Sequence, residues 1–183
     1  MTRKTFELKL GYYKKVLDEQ TEKGSTGSAG KLFDVLGRDY IMKNGISRAN
    51  DVRCRNIRQA DAMNRNYGKF ELKTGSGAVC YGYGLTADDC TAENVCAGVA
   101  YVVWAPFSKF LNAENFAEMS WVFTRDQFID CLETIGKKGL KSSLKVSKNG
   151  GQINIQTITP RMEDRLWDVL ENMPTLEEFF GKG

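Results

Sequence analysis

With 183 residues, 42% of them apolar and 27% charged, the chain has the size and balance of one self-sufficient globular domain. It contains no histidine, which excludes Ser-His-Asp and Cys-His catalysis, histidine general-base nucleases and His-ligated zinc hydrolases. The net charge of +3 is too small to name a nucleic-acid partner, so the distribution of charge carries more information than its total.

In chain order, residues 5–23 are strongly charged and read as helical in their second half, until Gly24-Ser25-Thr26-Gly27-Ser28 breaks the pattern. Ala29 to Met42 follows with Leu32, Phe33, Leu36, Tyr40 and Ile41 at helical spacing, and Asn44-Gly45 ends it. Residues 51–57 and 69–74 read as strands joined by a polar segment that includes Asn64 to Gly68. Beyond Thr74-Gly75-Ser76-Gly77 the chain is aromatic and glycine-rich to Gly84, then offers a short helix near 87–96. Val99 to Trp104 is a continuous apolar run ended by Ala105-Pro106, the pattern of a central buried strand.

Trp121-Val122-Phe123 predicts another short strand, and Thr124 to Gln127 has capping-box spacing for a helix over 126–135. Residues 144–147 and 152–155 alternate in polarity around Asn149-Gly150-Gly151, a hairpin signal. Thr159-Pro160 opens a helix to about Asn172, and Thr175 to Glu178 caps a last short one. The fold class expected is mixed α/β or α+β.

No apolar run approaches the roughly 20 residues of a membrane span, and the N-terminus lacks a signal-peptide core. A cytoplasmic protein is the expectation. The five cysteines, Cys54, Cys80, Cys90, Cys96 and Cys131, are odd in number and form no CxxC pair, so buried reduced thiols are expected rather than disulfides or a zinc site. The three tryptophans are assigned to packing.

The chemistry concentrates between Arg48 and Lys73, a stretch with seven basic side chains and three acids, Asp51, Asp61 and Glu71. Glu71 and Lys73 are two residues apart on an expected strand and so share a face. As a bare pattern Glu-x-Lys is common, and its bland reading is a solvated strand face. Two carboxylates brought together by a hairpin repel unless a cation is present, however, which favours oxygen-loving Mg²⁺ or Mn²⁺. Asp51 is preferred as the second acid because Val52 and Cys54 alternate like a strand. Asp61, ten residues before Glu71, is the alternative and suits a tighter hairpin turning at Arg65-Asn66.

At Glu71-Leu72-Lys73 with an upstream aspartate, the chain resembles the PD-(D/E)XK nuclease superfamily of restriction endonucleases, junction resolvases and phage exonucleases. Its core is a helix, a three-stranded meander, a helix and a further strand, and the expected elements fill that order to about residue 105. The resemblance implies a restriction-endonuclease-like fold, a central mixed sheet flanked by helices. Residues 1–28 would form an N-terminal helical extension, 29–105 the nuclease-like core, and 106–183 the sheet completion, basic hairpin and C-terminal helices. It implies Mg²⁺ or Mn²⁺ held by Asp51 or Asp61 with Glu71, Lys73 serving the attacking water, and a further acid from the first helix, Asp34 ahead of Asp39 and Glu22. The later segments are similar to small phage-encoded members, which would act in a bacterial host cell. One departure stands out: the family's aspartate commonly follows a proline, and no proline precedes Pro106 here. A catalytically degenerate relative that binds nucleic acid or a host defence protein therefore stays open, as does an unrelated interaction module.

Two basic groups are candidate DNA contacts. Arg53, Arg55 and Arg58, with Arg48 and Arg65, can clamp phosphates bidentately. Lys137, Lys138, Lys141, Lys145 and Lys148 lie where no acid occurs between Glu133 and Glu163, and could track a phosphate backbone. Both groups read equally as solvated edges that discourage aggregation. Paired cuts in duplex DNA would call for a homodimer.

Overall fold

The computed structural model describes residues 1–9, 11, 28–44, 60–75, 78–80, 96–107, 110–135, 144–146, 152–155 and 160–181. Within them lie helix α1 (residues 3–9), α2 (Ser28–Lys43), β1 (Ala62–Asn64), β2 (Gly68–Thr74), β3 (Ala78–Cys80), β4 (Tyr101–Ala105), β5 (Trp121–Thr124), α3 (Arg125–Ile135), β6 (Leu144–Val146), β7 (Gln152–Ile155), α4 (Pro160–Leu170) and α5 (Leu176–Gly181). The principal sheet has order β1-β2-β4-β5, with β2 and β4 parallel and both outer pairs antiparallel. A second, antiparallel sheet has order β3-β7-β6. The class is mixed α+β, as composition and pattern imply.

The uninterrupted apolar run of β4 is explained by its place. It lies between β2 and β5, and Val102 to Ala105 are all buried. Pro106 follows immediately, and its missing N–H stops the ladder from extending. A parallel pair needs a crossover connection, and residues 75–100 supply the chain for it.

Side-chain alternation sorts the rest of the core. On one face, Leu72 meets α2 and Phe70 meets α5. A Cβ at Gly37 of α2 would lie 3.3 Å from the Leu72 side chain, and the rings of Phe179 and Phe180 pack on Phe70. On the other face, Trp104 packs with Phe123 and with Phe128 of α3, and Trp121 meets Trp167 of α4. All three tryptophans are buried. The Phe6 ring of α1 joins Phe107, Phe110 and Trp167, so the described start of the N-terminal segment is packed into the core, and its helix begins earlier than the charge pattern suggests.

Both capping boxes form. Thr124 N–H donates to Gln127 Oε1 at 2.9 Å and Gln127 N–H to Thr124 Oγ1 at 3.2 Å. Thr175 N–H donates to Glu178 Oε2 at 2.8 Å and Glu178 N–H to Thr175 Oγ1 at 3.2 Å. Each box satisfies two amides at a helix start that would otherwise lack partners.

The hairpin that carries Glu71 differs from the preferred expectation. The antiparallel partner of β2 is β1, a strand of only three residues in what had read as loop. Asn64 fixes the turn: its Oδ1 accepts from Asn66 N–H at 2.9 Å and Tyr67 N–H at 3.2 Å, while Gly68 takes φ +87°, where a Cβ would be strained. The expected strand 51–57 and most of the expected helix 87–96 lie outside the described residues. Cys96 itself sits in a turn at φ 47°. Strand β3 was not anticipated.

Candidate functional site

The β1–β2 register pairs Ala62 with Phe70, Met63 with Lys69 and Asn64 with Gly68. One step further out, Asp61 lies just before β1 and stays bonded to Phe70, the residue that precedes Glu71. This is the tighter hairpin, and of the two candidate aspartates Asp61 is the one among the described residues. Asp51 lies outside the described residues, as do Arg53, Arg55 and Arg58.

Three polar handles hold Asp61. Its N–H donates to Phe70 O at 3.0 Å, its Oδ2 accepts the Leu72 N–H at 2.8 Å, and its carbonyl oxygen accepts from Arg38 Nε at 2.9 Å. The Leu72 amide lies on the stretch of β2 that β1 stops short of pairing, so a side chain replaces the missing ladder carbonyl there. Arg38 belongs to α2 and stands one turn after Asp34 on the same helix face. At the far end of β1, Asn64 Nδ2 donates to Ile41 O at 2.8 Å. The hairpin is thus pinned to α2 at both ends.

Glu71 and Lys73 form an ion pair through Oε1 and Nζ, with side chains only 12% and 7% exposed. This rules out the bland reading of a solvated strand face, because lysine and glutamate are buried to this degree almost only when paired. They share the face of the sheet that carries Trp104 of β4, the register partner of Lys73.

Burial pushes the Glu71 carboxyl above its ordinary range; Lys73 works against that, and Asp61 and Asp34 add to it. Burial also raises Asp34, reinforced by Asp61 and opposed by Lys73 and Arg38. For Lys73 burial disfavours the ammonium, but Glu71 outweighs it, with Asp61 and Cys96 adding, and the net displacement is upward. Asp34, Asp61, Glu71 and Lys73 thus bear on one another's charges from three separate segments.

These residues suit a hard divalent cation in their chemistry: carboxylate oxygens, mutual repulsion and partial exclusion of water. The donor set is not a finished coordination shell. Among the described residues no group of three acidic, histidine or cysteine side chains stands ready to enclose an ion, and Glu71 Oε1 is engaged by Lys73. A cation at this place would share the Glu71 carboxylate with Lys73, which already holds Oε1.

Two residues near the site went unnoticed in the sequence. Arg38 had a signal, its spacing of four from Asp34 on a helix. Cys96, buried and close enough for its thiol to bear on Lys73, had none. Cys131 is also buried, and its thiol is pushed up to about 12 by burial, as expected of an inert core cysteine. Of the basic hairpin, Lys145 lies on β6, whereas Lys137, Lys138, Lys141 and Lys148 fall outside the described residues. No helix among the described residues is long and apolar enough to cross a membrane.

No family model, no curated protein and no solved structure matches this chain.

Proposed function

We propose that the chain is a divalent-metal-dependent nuclease of the restriction-endonuclease-like fold, acting on the phosphodiester bonds of DNA. The observation that carries this reading is the buried Glu71–Lys73 pair on β2, with Asp61 held on the Leu72 N–H of the same strand and tied through Arg38 to the helix that carries Asp34. The succession of α2, the β1–β2 hairpin and parallel β4 supports it in part, since β3, which would complete a three-stranded meander, pairs with β7 in the second sheet.

In this reading Glu71 and Asp61 hold Mg²⁺ or Mn²⁺ with Asp34 beside them. The cation, when bound, lowers the pKa of a water and offsets charge on the scissile phosphate. Lys73 Nζ, beside Glu71, would orient the attacking water and offset charge that builds on the phosphate oxygens. Asp61 stays oriented by Leu72 N–H through Oδ2, leaving its other oxygen for the ion.

The test is incubation with plasmid DNA and Mg²⁺ or Mn²⁺, with EDTA as control. Wild type should cut, and Glu71→Ala and Lys73→Ala should each lose about a hundredfold or more. Equal cleavage by wild type and both variants contradicts the assignment.

A second reading is favoured by one observation, the occupation of Glu71 by Lys73 in place of a ready ion site. It is a catalytically degenerate nuclease fold that binds nucleic acid or a host defence protein, its ion pair serving as structure. Manganese separates the two: only a working site gains thermal stability from the ion, since a ligand stabilises by binding the folded state.

A further inference from the structure

We infer that Arg38 is a positioning residue for the candidate metal site, orienting Asp61 through its main chain; this rests on the nuclease reading above. Asp61 lies just before β1, outside regular structure, so no ladder of its own fixes its carboxylate. What fixes it is the trio of bonds to Phe70 O, Leu72 N–H and Arg38 Nε. Two of these come from β2, the strand that also carries Glu71. The third comes from α2, the helix that carries Asp34. Arg38 therefore links Asp61 to the helix of Asp34, while the two β2 bonds hold it beside the strand of Glu71.

Arg38 is exposed, so burial does not explain the use of its guanidinium on a backbone carbonyl. Its charge also falls on Asp34, four residues earlier, and eases the repulsion between Asp34 and Asp61. The other end of β1 is already anchored by the buried Asn64 on Ile41 O, so loss of Arg38 would leave the hairpin in place and free only its Asp61 end. Partners that orient a ligand without touching the ion commonly change metal affinity by about 10–100-fold when removed.

The sign of the effect separates positioning from simple charge. Deleting a nearby cation should tighten Mn²⁺ binding if Arg38 were only a bystander, because one repulsion is lost. If Arg38 orients Asp61, the same deletion should weaken it. The experiment is Mn²⁺ titration by calorimetry of wild type, Arg38→Met and Arg38→Lys, with amide hydrogen exchange of Leu72 measured without metal. Positioning predicts about tenfold weaker Mn²⁺ binding in Arg38→Met, partial recovery in Arg38→Lys, faster exchange of the Leu72 amide and little change in the metal-free melting temperature. Unchanged or tighter Mn²⁺ binding in Arg38→Met, or Leu72 protection equal to wild type, overturns it. A wild type that binds no Mn²⁺ removes the metal site itself, and the Leu72 exchange then still reports whether Arg38 orients Asp61.

Discussion

Replacing Lys73 with methionine keeps the length and apolar bulk of the side chain but removes the ammonium that neutralises Glu71. Because both partners are largely buried, this leaves a carboxylate next to Asp61 and Asp34 with poor access to water. Removing one partner of a buried pair costs about 3–5 kcal/mol, against about 0.2–1 kcal/mol for an exposed pair. Glu71 keeps some solvent contact, so the low end, about 3 kcal/mol, is expected at neutral pH. For a chain of this size that corresponds to a melting temperature lower by about 6–12 °C. The pH dependence has a definite sign. The Glu71 carboxyl is already raised by burial, and without Lys73 it rises further, so the folded state binds a proton more readily than the unfolded chain. The cost in Lys73→Met should therefore shrink as pH falls through the folded value, and the double variant with Glu71→Gln should recover most of it at neutral pH. Urea unfolding at several pH values measures this, with the slope checked for constancy. A loss within about 1 kcal/mol of wild type, or one that does not change with pH, would refute the description of the pair as buried and coupled to the other acids.

Other outcomes follow from named contacts. Asn64→Ala removes the acceptor of two turn amides and the donor to Ile41 O, and should cost about 1–3 kcal/mol in urea unfolding with loss of β1 amide protection. Gly37→Val sets branched carbons against Leu72, where even a Cβ would stand at 3.3 Å, and should cost about 1–3 kcal/mol in the same assay. The Thr175 N–H, aided by the chain's amino terminus, holds Glu178 below the usual carboxylate range. Its stabilisation is thus present above that range and is lost as pH falls through the folded value. The melting-temperature gap between wild type and Glu178→Gln should accordingly close on acidification from roughly pH 6 to 3.

What could be read beforehand depended on how locally each feature is encoded. Helix α2, strands β4 and β5, both capping boxes and the β6–β7 hairpin rest on periodicity or on residues three apart, and all appear where those signals lie. Strand β1 has no such signal. Three residues cannot display an alternation, and Asn64 looks like a loop residue because its side chain builds the turn. The same blindness left the position of Asp61 to a weak local argument, when what places it beside β2 is the register set by Asn64 and Gly68. Burial of the Glu71–Lys73 pair was equally invisible, since the strand beside it, β4, is distant in sequence. Strand β3 pairs with β7, far along the chain, and a segment of Ala78-Val79-Cys80 does not announce that partner.

The most direct measurement is the anomalous signal of Mn²⁺ soaked into crystals of the protein. The account predicts a peak bounded by carboxylate oxygens of Glu71 and Asp61, near Asp34, with Lys73 beside Glu71. Contradiction would be a cleft without manganese.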